Sequence, residues 1–310
     1  MLPKVASRED YRAVWRKSEL FVDAVRAIAE EHGLRGEPIA VARGTRPVFV
    51  IGDVYVKLGA MFFGEQYFAE RDALRALSDA AAIDLATPTL LAHGVIEGWN
   101  YLAMSGLAGA RIGDVWPTAD RTTRVRLAQQ AGALLARLHA VPVAPSEGLD
   151  PTRFRARLSS LARDVAAAHR GRNLLAPSPE SIAAYVAEHA ELLFQGDDVL
   201  VHADVTDDHL LVEGERITGL IDFGDAQLGP RGYEHVSPIS FMFGGDREVI
   251  AAYFDGYGVR LDDVERARCM TFLLVHTWND LEQTLRRAQI AGNQGVDAIA
   301  RALLPGDLIP

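Results

Sequence analysis

Two polar turns, each bounded by strand-like apolar runs, restrict most strongly how this chain can fold. Residues 200–212 (LVHADVTDDHLLV) begin and end with apolar residues and carry two histidines and three aspartates between them. The β-rich runs on either side of a glycine-containing turn predict a hairpin of residues 208–212 and 216–222. This hairpin returns Asp222, at the end of its second strand, beside the loop that carries Asp204. The two carboxylates then face one cavity.

Two carboxylates in contact repel each other unless a cation lies between or beside them, so this pair predicts a site for a divalent metal. Asp222 is followed by Phe and Gly, which suits a metal ligand held on a sharp turn after a strand. Asp204 is suited to accept a hydrogen bond from a substrate hydroxyl and then to take its proton. The pattern therefore indicates a metal-dependent reaction at a hydroxyl group.

The rest of the chain divides into a strand-rich front and a helix-rich back, which predicts an α+β protein with two lobes joined near residues 105–109. We expect an N-lobe of residues 1–104, a hinge of residues 105–109 and a helical C-lobe of residues 110–310. The predicted helices cover residues 8–32, 65–79, 121–140, 153–168, 179–194 and most of the chain from about 246, and the predicted strands cover residues 38–42, 47–51, 54–58, 92–96 and 100–104.

The charge composition of the chain indicates which kinds of molecule it can bind. The formal net charge of −10 and the pI near 5.4 predict a negative field over much of the surface, which repels nucleic acid and attracts a cationic small molecule. A single cysteine, Cys269, excludes an internal disulfide and is expected to be a core residue. We see no signal peptide and no apolar run long enough to span a membrane, so we expect a cytoplasmic protein, either monomeric or dimeric.

Taken together, the motifs resemble a known family. The motifs follow one another in the order typical of aminoglycoside phosphotransferases. In chain order they are the strand VYVKL ending near Lys57, the helix that carries Glu70, the extended YLAMSGLAG, an H-x-D segment at 202–204 and the I-D-F-G-D at 221–225. The chain is most similar to the hygromycin B phosphotransferase group, over nearly its whole length. The resemblance implies a bilobal protein-kinase-like fold with a small β-rich N-lobe and a larger, mostly helical C-lobe.

The resemblance also implies an activity: ATP-dependent phosphorylation of a hydroxyl of an aminoglycoside or aminocyclitol antibiotic such as hygromycin B, with GTP as an alternative donor. It implies that Asp204 is the catalytic base and that Asp222 binds Mg²⁺. Lys57 would contact the α- and β-phosphates, with Glu70 as its ion-pair partner and Glu65 as the alternative. The nucleotide would also meet Gly44 and Thr45, over the phosphates, and Ala103, Met104 and Ser105, beside the adenine.

The second metal position departs from the family pattern, because His209 stands where the family usually has Asn. An imidazole nitrogen is a poor ligand for Mg²⁺ and a better one for Mn²⁺, so Mn²⁺ is an alternative metal. His209 ligates through one nitrogen in this interpretation, or Asp207 or Asp208 takes its place. His202 is expected to hold the loop through hydrogen bonds.

Several acidic residues are candidates for a pocket that binds a cationic substrate, and surface charges are the alternative interpretation for each of them. They are Asp207, Asp208, Asp225, Glu234, Asp280 and Glu282.

Other functions remain open at this point. A kinase of the same fold can act on a macrolide, an amino alcohol or a sugar. A metallohydrolase can use His202, Asp204, Asp208 and His209 as a metal cluster without any nucleotide, but it leaves Lys57 without a role. A kinase-like binding protein without turnover is the remaining alternative, and it is motivated by His209.

Overall fold

The computed structural model describes residues 1–79, 86–172, 177–278 and 280–306. It has a small lobe built on one antiparallel sheet and a larger, mostly helical lobe, as the sequence predicts. The helices are α1 (Arg8–Val14), α2 (Val22–Glu31), α3 (Gly64–Asp79), α4 (Ile112–Val115), α5 (Arg121–His139), α6 (Pro151–Arg163), α7 (Val165–Arg170), α8 (Pro179–Glu188), α9 (Arg247–Tyr257), α10 (Asp263–Val275), α11 (Leu281–Arg287) and α12 (Val296–Leu303). The strands are β1 (Ile39–Ala40), β2 (Val48–Ile51), β3 (Val54–Ala60), β4 (Leu90–Ile96), β5 (Trp99–Ser105), β6 (Ala110–Arg111), β7 (Asp198–Val201), β8 (Leu210–Glu213), β9 (Arg216–Leu220) and β10 (Gln227–Pro230).

The N-terminal sheet has five antiparallel strands in the order β1-β2-β3-β5-β4. β3 lies at its centre, where Lys57 is paired with Val48 on one side and Leu102 on the other. The tight turn before β3 uses Gly52 at a φ of +62°, a conformation that favours glycine. A central strand is held on both edges, so the sheet fixes the position of Lys57.

The single helix predicted over residues 8–32 is wrong, because the chain forms α1 and α2 with a break between them. Lys17 has a non-helical backbone conformation, with φ of −87° and ψ of 77°. An unbroken helix of this length would span about 37 Å. The break instead lets both short helices bury apolar residues with the sheet, Tyr11 from α1 and Val25 from α2.

The C-lobe is organised around the long helix α5, which packs closely against α9. Glycines permit this approach, because a Cβ at Gly132 would collide with the carbonyl oxygen of Tyr253 and a Cβ at Gly256 with that of Gln129. The predicted helices at 153–168 and 179–194 are each shorter than expected: α6 ends at Arg163 and is followed by α7, and α8 ends at Glu188.

Two small sheets connect the helices to the candidate site. β7 pairs with β10, and β8 pairs with β6 and β9, so the predicted hairpin is confirmed as β8–β9. The predicted hinge, residues 105–109, begins with the last residue of β5 and continues through the segment that leads to β6. Cys269 is buried on α10 as a core residue. No helix in the described part of the chain is both long enough and apolar enough to cross a membrane.

Candidate active site

Lys57 is the centre of a buried ion-pair network between the two lobes. Its Nζ lies 2.7 Å from Glu70 Oε2 on α3 and 2.7 Å from Asp222 Oδ1 after β9. Lys57 is 8% exposed and Glu70 1% exposed. Glu70, and not the exposed Glu65, is therefore the partner of Lys57, as the first of the two sequence interpretations has it. The network joins the sheet, α3 and the turn that carries Asp222.

The charges of this network favour the ionised forms of Lys57 and Asp222, whereas burial raises the pKa of Glu70 even though Lys57 opposes that effect. Burial by itself lowers the pKa of Lys57, but Asp222 and Glu70 outweigh that effect, so the pKa is raised. Burial raises the pKa of Asp222, but the positive charge of Lys57, with help from His209, holds it well below its usual range. Asp222 is therefore an anion at neutral pH, as a metal ligand must be.

Asp222 has a backbone conformation that few residues adopt. Its φ is +67°, in the left-handed region, and it is not a glycine. Such a conformation costs about 1–3 kcal/mol and persists where the surroundings impose it. Here the ion pair with Lys57 holds the side chain, and Gly224 N–H donates to Asp222 Oδ1 at 3.4 Å.

The loop that carries Asp204 contains a second residue in the left-handed region, Ala203 with a φ of +67°. The fully buried Glu234 holds this turn: its Oε2 accepts from His202 N–H at 2.6 Å and its Oε1 from Ala203 N–H at 3.0 Å. His139 Nε2, at the end of α5, lies 3.2 Å from Glu234 Oε2. The structure therefore does not place Glu234 at a substrate surface, because both its oxygens support the loop backbone.

His202 connects the two functional turns. Its Nε2 donates to the carbonyl oxygen of Ile221, the residue before Asp222, at 2.9 Å, and its Nδ1 accepts from Asp204 N–H at 3.3 Å. Burial lowers the pKa of this histidine, so it is neutral, with its proton on Nε2. The expected role of His202, holding the loop by hydrogen bonds, is confirmed.

We expect Glu234→Gln to lower the free energy of unfolding by about 1–3 kcal/mol, because a glutamine NH₂ group would face a backbone N–H donor at a fully buried site. Chemical denaturation of the two proteins measures the difference. Glu191→Gln is the matched control, since Glu191 is exposed. An equal stability of Glu234→Gln and the control would show that this carboxylate does not hold the loop.

Asp204 lies beside His209 and close to Asp222. His209 Nδ1 is 3.4 Å from Asp204 Oδ2, and His209 Nε2 is 3.8 Å from Asp222 Oδ2. Burial, opposed by His209 and assisted by Asp225 and Asp222, raises the pKa of Asp204 to about 7. A carboxylate with such a pKa is suited to take a proton from a hydroxyl group near neutral pH.

His209 has one nitrogen available toward Asp222. Its Nδ1 lies 2.6 Å from the carbonyl oxygen of Asp204, which can only accept, so Nδ1 donates to that oxygen and Nε2 is the nitrogen that faces Asp222. Lys57 Nζ donates to Asp222 Oδ1, and Asp222 Oδ2 faces His209 Nε2. A carboxylate oxygen and an imidazole nitrogen fit two ligand positions of a divalent cation, and the imidazole favours Mn²⁺ over Mg²⁺.

A cavity of about 280 Å³ opens between the lobes, and we call it the interlobe cavity. Of the residues predicted to contact nucleotide, it is lined by Lys57, Glu70, Gly44, Thr45, Met104 and Ser105, and Asp208, His209 and Asp222 also line it. Ala103 does not, because it is fully buried within β5. Residues 43–46, which we call the covering segment, are predicted to lie over the phosphates. Tyr11 holds this segment, because its hydroxyl donates to the carbonyl oxygen of Thr45 at 2.8 Å.

Two arginines that line the interlobe cavity form ion pairs with the acidic loop residue Asp208. Arg111 on β6 lies 2.8 Å from Asp208 Oδ1, and Arg43 lies 2.8 Å from Asp114 on α4 and 3.9 Å from Asp208. These pairs connect the covering segment of the N-lobe to the C-lobe. Asp208 is therefore engaged by protein cations.

The other candidates for the acidic pocket are dispersed. Asp280 caps α11, where its side chain accepts from Gln283 N–H, and Glu282 pairs with Arg286 one turn further along the same helix. Asp207 is exposed. Asp225, which accepts from Gln66 at 3.0 Å, lines a different groove from the one around Lys57. The structure does not bring these carboxylates together into one substrate pocket.

The described residues do not support the metallohydrolase alternative. They contain no group of three or more His, Cys, Asp or Glu side chains arranged to hold a metal ion. Both ring nitrogens of His202 are engaged by the backbone, and Asp208 is paired with Arg111.

Comparisons with known proteins identify the family and the fold of the chain. A family model described as the phosphotransferase enzyme family matches residues 56–269. Among solved structures, the chain is similar to the streptomycin-ATP complex of APH(2")-IIa, with 15% identity, a TM-score of 0.59 and coverage of 88% of this chain and 97% of that chain. It is also similar to the GDP and kanamycin complex of APH(2")-IIIa, with 17% identity, a TM-score of 0.62 and coverage of 91% and 99%.

A third similar structure is aminoglycoside phosphotransferase APH(3'')-Id from Streptomyces rimosus in complex with ADP and streptomycin, with 18% identity, a TM-score of 0.55 and coverage of 83% and 98%. At these identities the likeness is one of fold. The chain has the kinase-like α+β fold of these enzymes, with an antiparallel sheet in its N-lobe and helices in its C-lobe, as expected from the sequence.

Proposed function

The chain belongs to the phosphotransferase enzyme family, and from this premise we propose that it transfers the γ-phosphate of ATP to a hydroxyl group of a small molecule. One observation carries the proposal: Lys57 Nζ is held at 2.7 Å from both Glu70 and Asp222 in the wall of the interlobe cavity. This arrangement supplies a fixed cation for phosphates and a carboxylate for a metal ion at the same place.

In the proposed reaction, the acceptor hydroxyl oxygen forms a bond to the γ-phosphorus, and the bond from that phosphorus to the β,γ-bridging oxygen breaks. Asp204 takes the hydroxyl proton, which suits its raised pKa, and ADP leaves with the bridging oxygen. Lys57 binds and orients the phosphates. Asp222 and His209 would hold a divalent cation, which supplies charge neutralisation between the phosphate oxygens when it is bound.

The nucleotide is ATP in this proposal, with GTP as the alternative. Complexes of similar structures with ATP and with GDP support both possibilities. Mg²⁺ is the proposed metal, with Mn²⁺ as the alternative favoured by His209. Gly44 has a φ of +105°, which lets the backbone turn over the cavity without a side chain. This conformation supports the predicted role of Gly44 in covering the phosphates.

Aminoglycosides and aminocyclitols are the first acceptor class to test. The similar structures are described as complexes with streptomycin and kanamycin, and the resemblance to the hygromycin B group makes hygromycin B the first compound within that class. Macrolides, amino alcohols and sugars are the alternative acceptors within the same reaction type.

An ATP-consumption assay with these acceptors tests the proposal, run once with Mg²⁺ and once with Mn²⁺, with phosphorylated product identified by mass. Acceptor-dependent ADP formation supports phosphoryl transfer. Tight metal-dependent nucleotide binding without turnover in either metal, across the whole panel, would favour a kinase-like binding protein instead.

We expect His209→Asn to shift the metal preference toward Mg²⁺, because it replaces an imidazole nitrogen with an oxygen ligand. Activity with Mg²⁺ is preserved or raised, and the ratio of Mn²⁺-supported to Mg²⁺-supported activity falls by about 10-fold or more. Initial rates in each metal measure this ratio. A collapse of activity in both metals would show that His209 acts on the Asp204 loop through its Nδ1 contact and not as a ligand.

A further inference from the structure

A large groove of about 880 Å³ adjoins the interlobe cavity and shares Thr45 and Arg46 with it. Helices α1 and α6, which are far apart in the sequence, contribute most of its cationic side chains. We call it the arginine groove after the six arginines that line it: Arg8, Arg12, Arg16, Arg46, Arg153 and Arg157.

These arginines have no carboxylate partners among the described residues. Their polar contacts are to neutral groups: Arg46 to Gln66, Arg153 to backbone carbonyl oxygens, and Arg157 to Thr277 Oγ1 at 3.2 Å. Arginines elsewhere in the chain are often paired, and Arg155, between two groove arginines on α6, lies 2.8 Å from Asp198. The groove therefore concentrates arginines that form no ion pair within the described part of the chain.

The sign of this charge is opposite to that of the whole chain. Glu65 and Asp225 are the only two carboxylate residues among the groove's described lining, against six arginines, whereas the formal net charge of the chain is −10. A concave surface lined by one sign of charge raises the local concentration of oppositely charged ligands. It also disfavours a polycation, because like charges brought together cost free energy.

The groove reaches the reaction centre through Gly224. Gly224 lines the groove, and a Cβ placed on it would lie 3.2 Å from Asp222 Oδ1, 3.8 Å from Lys57 Nζ and 3.9 Å from Arg46 Nη2. Gly224 in the groove wall therefore lies close to the ion pair of Lys57 and Asp222. A molecule bound in the groove lies next to the site of transfer.

The groove also exposes apolar rings. Phe62 is 40% exposed and Trp278 is 72% exposed, and both line it. Exposed aromatic side chains beside arginines form a surface suited to a ligand that has a ring and an anionic group.

We propose that the arginine groove is the acceptor site and that the acceptor is a hydroxylated small molecule with an anionic substituent on an apolar ring system. This inference rests on the proposed phosphotransferase function and names an anionic acceptor class in place of the polycationic aminoglycosides. The carboxylate, sulfate or phosphate of the acceptor pairs with the groove arginines, and its ring lies against Phe62 and Trp278. The hydroxyl group then points past Gly224 toward Asp204 and the γ-phosphate.

The test uses 1-anilinonaphthalene-8-sulfonate, which carries one sulfonate on apolar rings, as a fluorescent probe in the presence of saturating ADP and Mg²⁺. Binding is compared between the wild-type protein and two double variants, Arg153→Gln/Arg157→Gln on α6 and Arg12→Gln/Arg16→Gln, of which Arg12 is on α1 and Arg16 just after it. Two independent pairs guard against a folding defect in one of them. Arg35→Gln/Arg216→Gln is the matched control, because both of these arginines are exposed and lie outside the groove.

We expect each groove pair to raise the Kd of the probe about 10-fold or more, the loss expected for charge-assisted contacts, and the control pair to leave it unchanged. Kanamycin, a polycation, does not displace the probe. Equal Kd values for the groove variants and the control, or displacement of the probe by kanamycin at a comparable concentration, overturns the proposal.

Failure of this inference is distinguishable from failure of the proposed function. If an aminoglycoside is phosphorylated with a KM that Arg153→Gln/Arg157→Gln leaves unchanged or lowers, the anionic acceptor class is wrong and phosphoryl transfer stands. If no nucleotide binds and no acceptor is phosphorylated, the proposed function is wrong, and this inference falls with it even if the groove binds the probe.

Discussion

Replacing Asp204 with Asn is expected to lower the rate of phosphoryl transfer by about 10²–10⁴-fold, the usual contribution of a general base. The amide keeps the shape of the side chain but cannot take the hydroxyl proton. Nucleotide binding is expected to remain, because Lys57, Glu70 and Asp222 form their network without Asp204. Single-turnover rates measure the transfer, and titration calorimetry measures the affinity for ATP.

Asp197→Asn is the control for this substitution, since Asp197 is exposed and precedes the strand that leads to Asp204. The contrast between an intact Kd for ATP and a lost transfer rate separates a catalytic role from a folding defect. A variant that transfers phosphate at the wild-type rate would remove Asp204 from the proposed chemistry.

The candidate site was predictable from sequence where its residues belong to local motifs. Asp222 and Asp204 each stand at the end of an apolar run, and their meeting follows from the β8–β9 hairpin, which is a local structure. The pairing of Lys57 with Glu70 was expected only from the family resemblance, although the two residues lie on neighbouring elements, β3 and α3. Within the hairpin, the short separation along the chain leaves few ways to fold, so pattern and spacing are informative there.

Features that depend on distant parts of the chain were not predictable. Glu234 lies more than 30 residues from the backbone groups that it holds, and its acidic character alone suggested a substrate-pocket residue or a surface charge. The net charge of the chain does not reveal where charges lie on the surface, because the fold gathers the arginines of α1 and α6 around one groove. The break between α1 and α2 likewise follows from packing of Tyr11 and Val25 with the sheet, which overrides local helix periodicity.

Replacing Asp222 with Asn is expected to weaken metal-dependent nucleotide binding and transfer together, in contrast to the effect at Asp204. The amide loses the negative charge that pairs with Lys57 at 2.7 Å and that faces His209 Nε2 at 3.8 Å. We expect the affinity for metal-nucleotide to fall about 10–100-fold and the rate of transfer to fall by at least about 10²–10³-fold. Calorimetric titration of ATP with and without the metal measures the first effect, and single-turnover kinetics the second.

The protein is expected to remain folded, because Glu70 still pairs with the buried Lys57 in this variant. Asp53→Asn, in the exposed turn between β2 and β3, is the matched control and is expected to bind nucleotide as the wild type does. The decisive comparison is the gain in ATP affinity on adding metal: Asp222→Asn loses this gain, whereas Asp204→Asn keeps it. If Asp222→Asn keeps the whole gain, the carboxylate is not a metal ligand, and the assignment of the two aspartates to separate roles, one toward the nucleotide and one toward the acceptor, is wrong.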